Sequence, residues 1–258
     1  MKNILLILLL FISSVVSAQD RDVFRKKIFI QNGDTLPVRI MYPKDFDSTK
    51  KYPLVLFLHG RGESGNNNES QLVHGSSLFI SNREKFPAIV VFPQCGKDSY
   101  WANVNIKTDE NGKRHFFFRK GGKPTKAMRL LTAYLEQDLK QNKNIDQNRV
   151  YVAGLSMGGM GTFELLRREP KTFAAAFAIC GGDNVKNVKK YANSTPLWIF
   201  HGGKDDVVLP KYSIDVVNEL KKRRAQPQFT LYPDANHNSW DPAFAEPDLL
   251  SWLFSHKK

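Results

Sequence analysis

The chain has 258 residues, 41% of them hydrophobic and 12% aromatic, which is typical of a globular protein with a sizeable core. It is strongly basic, because 38 Lys and Arg against 25 Asp and Glu give a formal net charge of +13. The basic clusters lie at predicted element ends or on predicted helix faces, and no nucleic-acid-binding motif accompanies them. We therefore expect no nucleic-acid partner, and interpret the charge as a solvated surface with some affinity for acidic polysaccharide or membrane surfaces.

The first 18 residues have the pattern of a secretory signal peptide. Lys2 supplies a positive charge, residues 4–12 are apolar, and Val16-Ser17-Ala18 places small residues before a cleavage point after Ala18. A membrane anchor is the alternative, but the apolar run is short for a bilayer span and no stop-transfer flank follows it. We expect a periplasmic or secreted protein that is not inserted in the membrane after the signal peptide is removed.

The remaining chain alternates predicted strands and helices. A hairpin is predicted over residues 23–42, with Asn32-Gly33-Asp34 at its turn, and the apolar run 54–58 is typical of a strand buried on both faces. Further strands are predicted at residues 88–92, 150–153, 173–179, 197–200 and 229–232, and helices at residues 126–141, 158–168, 211–224 and 242–256. This order predicts one α/β domain over residues 19–258. It has a mainly parallel sheet with helices on both faces and an antiparallel N-terminal edge, and ligands bind at the carboxyl ends of its strands.

The segment 96–125 interrupts this alternation. It is polar, basic and aromatic, and Asn111-Gly112 separates two short strand-like runs, which predicts an inserted hairpin. Because the segment leaves from the carboxyl end of a core strand, it should lie over the mouth of the ligand site. Tyr100 and Trp101 are therefore candidate substrate-binding residues. The alternative, that these aromatic side chains only anchor the insertion on the sheet, stays open.

The two cysteines, Cys95 and Cys180, end different predicted strands that the fold separates by two others. At about 4.8 Å per strand, this separation exceeds the reach of a disulfide, so two free thiols are expected. The sequence contains neither a cluster of metal ligands nor a phosphate-binding loop, and no metal or cofactor is expected.

One strand–turn–helix motif carries the predicted chemistry. The β-branched run 150–153 leads into G-x-S-x-G at Gly154 to Gly158, and good helix formers follow up to Pro170. This pattern indicates a nucleophile elbow, in which two glycines give the turn room and the serine, here Ser156, projects toward a base. A Gly-Ser-Gly cluster can also mark a plain loop, but the strand before it and the helix after it favour the elbow.

The base must be a histidine that follows the serine in the chain. His201 ends a predicted strand in a segment where an acid is needed, and His256 lies close to the C-terminus. His237 lies in a loop directly after a strand, where its imidazole can reach the nucleophile, accept the serine proton and return it to the leaving group. The alternative for His237 is a residue that only caps a turn.

The acid must hold the imidazole in the correct tautomer. Asp205 and Asp206 both qualify, and Asp205 is preferred because it takes the acidic place in an H-G-x-x-D-x-x-V pattern that begins at His201. Asp206 is then a turn or helix-capping residue.

An ester carbonyl under attack also needs hydrogen-bond donors for its oxyanion. One predicted donor is the backbone N–H of Met157, and the other is that of Arg61, in the loop after the strand 54–58. Glycines on both sides of Arg61 let the backbone bend inwards. His59 and Glu63 are expected to stabilise this loop rather than to react.

These motifs together resemble those of esterase-type α/β hydrolases. The resemblance rests on His59-Gly60-Arg61-Gly62-Glu63, Gly154 to Gly159, Ile179 to Gly182 and the segments of Asp205 and His237. The chain is most similar to the poly(3-hydroxybutyrate) depolymerase-like and the feruloyl or acetyl-xylan esterase group, over nearly all of its length after the signal peptide. The resemblance implies export, metal independence and attack on acyl esters of plant polysaccharides or on small aryl esters. The basic aromatic hairpin after Cys95 departs from the group, so no binding residue is transferred from it.

The sequence therefore predicts a secreted serine carboxylesterase that works through an acyl-enzyme at Ser156. It would release feruloyl or acetyl groups, with a small-molecule or polysaccharide ester as its partner. One alternative is a serine peptidase of the prolyl-oligopeptidase type, although the gating domain of those enzymes has no counterpart in the 258 residues. A second is a non-catalytic carbohydrate-binding protein on a hydrolase scaffold, against which the intact serine, histidine and acid argue.

Overall fold

An eight-stranded sheet forms the centre of the structure, a computed structural model that describes residues 20–258. The strands are β1 (Phe24–Gln31), β2 (Asp34–Met41), β3 (Tyr52–Leu58), β4 (Ile89–Pro93), β7 (Ile145–Leu155), β8 (Ala175–Ile179), β9 (Leu197–Gly202) and β10 (Gln228–Tyr232). Their order is β1-β2-β4-β3-β7-β8-β9-β10, with β2 antiparallel to both of its neighbours and all other pairs parallel. The mainly parallel sheet and its antiparallel N-terminal edge are confirmed. The predicted signal peptide, residues 1–18, lies outside the described residues.

Six α-helices accompany the sheet within residues 20–258. They are α1 (Ser76–Ser81), α2 (Lys126–Gln141), α3 (Met157–Arg168), α4 (Lys211–Lys222), α5 (Trp240–Phe244) and α6 (Leu249–Ser255). The single helix predicted over residues 242–256 is wrong, because the chain there forms two short helices. Pro247 lies between them, where it lacks an N–H and disfavours helical backbone at the residue before it.

Alternation along the buried strands divides the core into two layers. Leu54, Leu56 and Leu58 of β3 point to one face, where α2, α3 and α4 pack, whereas Val55 and Phe57 point to the other, where α1, α5 and α6 pack. A parallel strand covered on both faces has no polar side, which is why these runs are continuously apolar. The predicted helices on both faces are confirmed.

The first hairpin has the turn that its sequence predicts. Asn32 and Gly33 both have positive φ angles, 51° and 81°, as a two-residue turn between twisted antiparallel strands requires. The turn pairs Gln31 with Asp34 and sets the register of the whole hairpin.

A second, separate hairpin lies within residues 96–125. Its strands are β5 (Val104–Thr108) and β6 (Arg114–Phe118), which pair antiparallel. On the inner face, Phe116 packs in one cluster with Met160 of α3 and with Val208, which follows β9. On the outer face, Phe117 is 52% exposed. The hairpin therefore packs against the segments that carry the candidate site.

Cys95 and Cys180 are both buried and not disulfide-bonded, which confirms the prediction of two free thiols. They follow β4 and β8, and β3 and β7 lie between those strands. Across residues 20–258, the helices are all too short or too polar to cross a membrane.

Candidate active site

The turn from β7 into α3 holds Ser156 in a strained backbone conformation. Its φ is +53° and its ψ −116°, in a region that non-glycine residues rarely adopt. A Cβ at Gly158 would lie 1.9 Å from the carbonyl oxygen of Leu58, and one at Gly154 would lie 2.4 Å from the carbonyl oxygen of Gly158. Both glycines are therefore required for the strand and the helix to approach this closely. The turn has the geometry of a nucleophile elbow.

Ser156 and His237 form the first half of a hydrogen-bonded relay. The Oγ atom of Ser156 lies 2.9 Å from Nε2 of His237, and Nδ1 of that histidine lies 2.8 Å from Oδ2 of Asp205. A carboxylate can only accept, so Nδ1 carries the ring proton and Nε2 is free to accept from the serine hydroxyl. His237 lies in the loop after β10, and its side chain remains 20% exposed. The structure thus brings together the three residues that the sequence selects.

Asp205 is fixed in place by its own loop. Its Oδ1 accepts hydrogen bonds from the backbone N–H groups of Val207 and Val208, at 3.0 Å and 2.9 Å, while Oδ2 faces His237. The side chain is buried, whereas the neighbouring Asp206 is exposed. Of the two adjacent acids, only Asp205 contacts the imidazole.

A second histidine, His201, also contacts Asp205. Its Nε2 lies 3.2 Å from Oδ2 of the carboxylate and 2.7 Å from the carbonyl oxygen of Val208, and its Nδ1 lies 2.7 Å from Oγ of Ser213. Burial alone would raise the pKa of the Asp205 carboxyl, but the hydrogen bonds from His201 and His237 outweigh it and hold that pKa below its usual range. Asp205 is therefore ionised. Sequence reasoning set His201 aside, although its position four residues before the acid was a usable indication.

The loop after β3 lies directly against Ser156. A Cβ built on Gly60 would lie 3.7 Å from the Cβ of the serine, within van der Waals contact. The carbonyl oxygen of Gly60 lies 2.6 Å from Nδ1 of His59. In a trans peptide the N–H points away from the preceding carbonyl, so the N–H of Arg61 is directed away from that histidine. Met157, the other predicted donor, opens α3, and its N–H has no acceptor within the helix.

His59 is a neutral, fixed part of this loop. Its Nε2 lies 2.9 Å from the backbone nitrogen of Cys95, which can only donate, so the ring proton is on Nδ1 and is donated to Gly60. Burial lowers the pKa of His59 to about 4, because the charged imidazolium would lose its hydration. The structure places His59 in the supporting position that the sequence predicts for it.

Trp101 does not reach the surface of the site. Its side chain is fully buried, with its ring 5.5 Å from that of His59 in an edge-on arrangement, and it packs on the backbone of Gly161 in α3. The structure thus corrects the expectation that Trp101 contacts substrate. The indole anchors the base of the hairpin segment on the helix, which is the alternative that the sequence left open.

Tyr100 is half-buried beside the loop of residues 59–63 that follows β3, which we call the oxyanion loop because it carries the predicted donor Arg61. The guanidinium of Arg61 lies 5.9 Å from the centre of its ring, and its hydroxyl lies 3.8 Å from the sulfur of Met160. Burial raises the pKa of the Tyr100 hydroxyl to about 12, so this group is a neutral hydrogen-bond donor. Tyr100 therefore remains a candidate substrate contact.

Within residues 20–258, one group of three side chains offers metal-ligand atoms close together. The ligand atoms of Cys180, Asp205 and His237 all lie within 4.8 Å of one another. Two of the three are already hydrogen-bonded to each other, and burial raises the pKa of the Cys180 thiol well above its ordinary value, which opposes formation of the thiolate that binds metal. The group therefore suits proton transfer better than metal binding.

This sheet order, with a strained serine after the central strand and a histidine and an aspartate on later loops, defines the class of α/β hydrolases. The chain belongs to the Esterase family, whose model matches residues 31–239. Its relatives include proteins named as acetylxylan and feruloyl esterases.

Three individual proteins illustrate the similarity. A bifunctional acetylxylan esterase/xylanase from Neocallimastix patriciarum is 33% identical over 157 residues, which are 60% of this chain and 20% of that protein. Dipeptidyl-peptidase 5 from Porphyromonas endodontalis is 24% identical over 269 residues, or 86% of this chain and 36% of that protein. The crystal structure of a thermostable esterase superimposes with a TM-score of 0.81 at 32% identity, covering 93% of this chain and 64% of that one. The chain thus spans well under half the length of either of the first two proteins.

Proposed function

We propose that this protein is an exported serine carboxylesterase that forms an acyl-enzyme at Ser156 and releases acetyl or feruloyl groups from plant polysaccharide. The observation that carries the proposal is the relay from Ser156 through His237 to Asp205, with donor–acceptor distances of 2.9 Å and 2.8 Å. A serine hydroxyl becomes a useful nucleophile when a base so placed can take its proton.

In the first half of the reaction, Nε2 of His237 takes the proton of Ser156 as Oγ bonds to the acyl carbon. The carbonyl oxygen becomes an oxyanion held by the N–H groups of Met157 and Arg61, while ionised Asp205 stabilises the imidazolium. The C–O bond to the alcohol then breaks, and the imidazolium returns its proton to the departing oxygen. The products of this half are the free alcohol and an acyl ester on Ser156.

In the second half, water replaces the alcohol. His237 takes a proton from the water as its oxygen bonds to the acyl carbon, and a second oxyanion forms in the same place. Cleavage of the bond to Oγ returns the proton to Ser156 and releases the carboxylic acid. No redox or metal-dependent step is needed to balance the reaction.

The polysaccharide substrate is supported by two considerations. The relative from Neocallimastix patriciarum is named for acetylxylan esterase activity, and the matching residues cover 60% of this chain. The hairpin β5–β6 adds a basic, aromatic surface next to Met160 of α3 and Val208, which suits a substrate that extends beyond its acyl group. Export is proposed from residues 1–18 alone.

The test is hydrolysis of p-nitrophenyl acetate, methyl ferulate, acetylated xylan and a prolyl-peptide anilide by the mature protein, with Ser156→Ala as the matched control. We expect ester turnover that falls by at least about 10⁴-fold in the control, because the nucleophile is lost while the fold is kept. Undiminished turnover in Ser156→Ala would contradict the mechanism. Comparison of methyl ferulate with acetylated xylan ranks the acyl groups.

A peptidase is the second candidate, and one observation favours it. Dipeptidyl-peptidase 5 aligns with 86% of this chain at 24% identity. Cleavage of the anilide without ester hydrolysis would replace the esterase by a peptidase. Absence of turnover on every substrate would leave the non-catalytic carbohydrate-binding alternative, and retention of the protein on acetylated xylan would then support it.

A further inference from the structure

A large cleft lies away from Ser156 and its partners. Its volume is about 780 Å³, within the range of ligand-binding pockets. Its walls are the outer face of α2, the end of α3, the β1–β2 turn at Gln31 and Asn32, the segment 186–190, and the chain that returns from the hairpin at residues 120–124. We call this the basic cleft, since seven Lys and Arg side chains line it against two carboxylates, those of Glu136 and Glu169.

Three arginines of the basic cleft are held by acidic partners. Arg129 donates to Asp34 at 2.5 Å, and Arg167 and Arg168 both pair with the buried Glu164, at 2.5 Å and 2.6 Å. Two guanidinium groups share that one carboxylate, so their pairing leaves one positive charge over. These arginines are therefore oriented as well as charged.

The four lysines of the cleft have no such partners. Lys120, Lys186, Lys189 and Lys190 are exposed, and no carboxylate within residues 20–258 lies within 4.0 Å of their ammonium groups. Like charges gathered in one concave surface repel one another unless an anion lies between them. The arrangement is therefore complementary to a negatively charged ligand.

The wall that carries these lysines is rigidly built. Asn187 is buried, and its side chain accepts from the N–H of Gly121 at 3.0 Å and donates to the carbonyl of Arg119 at 3.1 Å and to Asp183 at 2.8 Å. One side chain thus joins the segment 186–190 to the return of the hairpin. The cleft does not have to form when a ligand arrives.

The side chains of the cleft distinguish between kinds of polyanion. None of the lining residues is aromatic, whereas single-stranded nucleic acids bind to stacked aromatic side chains. The ionised phosphates of a nucleic acid offer no hydrogen-bond donor to the carboxylates of Glu136 and Glu169. Sugar hydroxyls, by contrast, can donate to these carboxylates and form hydrogen bonds with the amides of the cleft. The concave, polar surface also lacks the apolar side chains that insert into a membrane.

The basic cleft and the candidate active site are connected by two elements. Helix α3 begins next to Ser156 and ends at Arg168 in the cleft, and its 12 residues span about 18 Å. The hairpin segment runs from Tyr100, beside the oxyanion loop, to Lys120 in the cleft. A polymer, unlike a single sugar, can reach both places.

We infer that the basic cleft binds a carboxylate-bearing polysaccharide, a polyuronate or a uronate-substituted chain, at a distance from the ester bond that is cleaved. This names the polymer class of the proposed function and rests on that function for the choice of a polysaccharide. Lysines of the segment 186–190 and Lys120 bind the uronate carboxylates, and Glu136, Glu169 and the amides bind sugar hydroxyls.

The test is binding of the protein to polygalacturonate. Binding is measured by calorimetry and by the retardation of the protein in gels that contain the polymer. The protein carries Ser156→Ala throughout, so that binding is measured apart from turnover. The cleft variant is Lys186→Gln/Lys189→Gln/Lys190→Gln. Its matched control is Lys51→Gln/Lys221→Gln/Lys222→Gln, which removes the same charge from exposed lysines outside the cleft.

We expect the cleft variant to bind polygalacturonate at least about tenfold more weakly and with a shallower salt dependence, and the control to change by less than about threefold. A neutral arabinan should bind neither to the cleft variant nor to the control variant. When the three lysine substitutions are made in the protein that keeps Ser156, turnover of p-nitrophenyl acetate should equal that of the wild type, because this small ester does not reach the cleft.

Several results would overturn the inference. Equal losses of affinity for polygalacturonate in the two variants would show that net charge alone attracts the polymer. If the protein with the intact cleft did not bind polygalacturonate, the proposed site would be wrong. Tighter binding of a single-stranded oligonucleotide or of anionic vesicles, lost in the cleft variant, would assign the cleft to those ligands instead. If ester turnover fails while the cleft-dependent binding holds, the proposed function is wrong and the binding site stands.

Discussion

Asp205 and His237 are joined by a hydrogen bond of 2.8 Å between Oδ2 and Nδ1, although 31 residues separate them in the chain. The neighbouring Asp206 is exposed and takes no part. The two acids are adjacent in sequence, have the same charge and differ only in where the backbone directs them. They therefore form a matched pair for testing the relay.

Replacing each acid by asparagine should give very different enzymes. Asp205→Asn is expected to lower kcat by about 10³- to 10⁴-fold on p-nitrophenyl acetate, because the amide no longer holds His237 in the tautomer that accepts the serine proton. Asp206→Asn should change kcat by less than about threefold, as is usual for an exposed side chain. Equal losses, or the reverse order, would contradict the assignment of Asp205.

Gly158 of α3 and Gly62 of the loop after β3 predict a difference in stability. Gly158→Ala should cost at least about 3 kcal/mol of unfolding free energy, because its Cβ would lie 1.9 Å from a backbone oxygen that cannot move aside. Gly62→Ala is the matched control, since nothing lies within 4 Å of its added Cβ. Chemical denaturation of both variants measures the difference. A Gly158→Ala variant as stable as the wild type would mean that the elbow has another geometry.

His59 predicts a loss of stability in mild acid. Its pKa falls from 6.5 in the unfolded chain to about 4 in the folded protein, because burial disfavours the charged ring. Between these values the unfolded state binds the proton more readily, so stability is complete above pH 6.5 and falls as the pH drops toward 4. The loss from this group amounts to about 3 kcal/mol.

The effect of His59 is measured as a difference from a variant. Buried Asp183, whose pKa burial raises to about 6, acts in the opposite direction, since the stability it contributes is lost as the pH rises toward 6. Both the wild type and His59→Gln contain Asp183, so the difference between their urea midpoints removes its contribution. From pH 7 to pH 4, the urea midpoint of the wild type should fall more than that of His59→Gln. A direct NMR titration of the His59 ring checks the same point, and an ordinary pKa would contradict it.

Trp101 should behave as a core residue. Trp101→Ala is expected to lower the free energy of unfolding by about 3 to 5 kcal/mol, because a fully buried indole leaves a large cavity. Phe117→Ala, on the exposed face of the same hairpin, should cost less than about 1 kcal/mol. Thermal melts test whether Trp101 is a core residue, and KM for methyl ferulate tests whether it contacts substrate. A raised KM with an unchanged melting temperature in Trp101→Ala would return that residue to the substrate site.

The helix expected over residues 242–256 shows one limit of the sequence pattern. Apolar residues recur there at helical spacing, yet the chain forms two helices with Pro247 between them. Proline is compatible with the first turn of a helix, so periodicity alone does not decide whether a proline begins a second helix or lies within one.

Burial is a second limit. Tyr100 and Trp101 are neighbours of the same chemical type, and their sequence context suits substrate contact and anchoring equally well. Packing decided between them, because the indole meets the bare backbone of Gly161 while the phenol stays at the surface beside Arg61. The contact of the loop after β3 with Ser156 likewise depends on β3 and β7, which only the folded sheet makes neighbours.

Local patterns in the sequence predicted the eight strands of the sheet, the nucleophile elbow at Ser156 and the first hairpin turn, but neither α1 nor the division of the last helical segment. These features depend on periodicity, on glycines and on turn residues that act within a few positions of one another. The tertiary structure decided that Asp205 rather than Asp206 contacts His237, that Trp101 is buried, and that lysines from residues 120 and 186–190 face α2 across one cleft. Those features depend on distances between segments far apart in the chain, and such distances are fixed only when the sheet and its helices pack together.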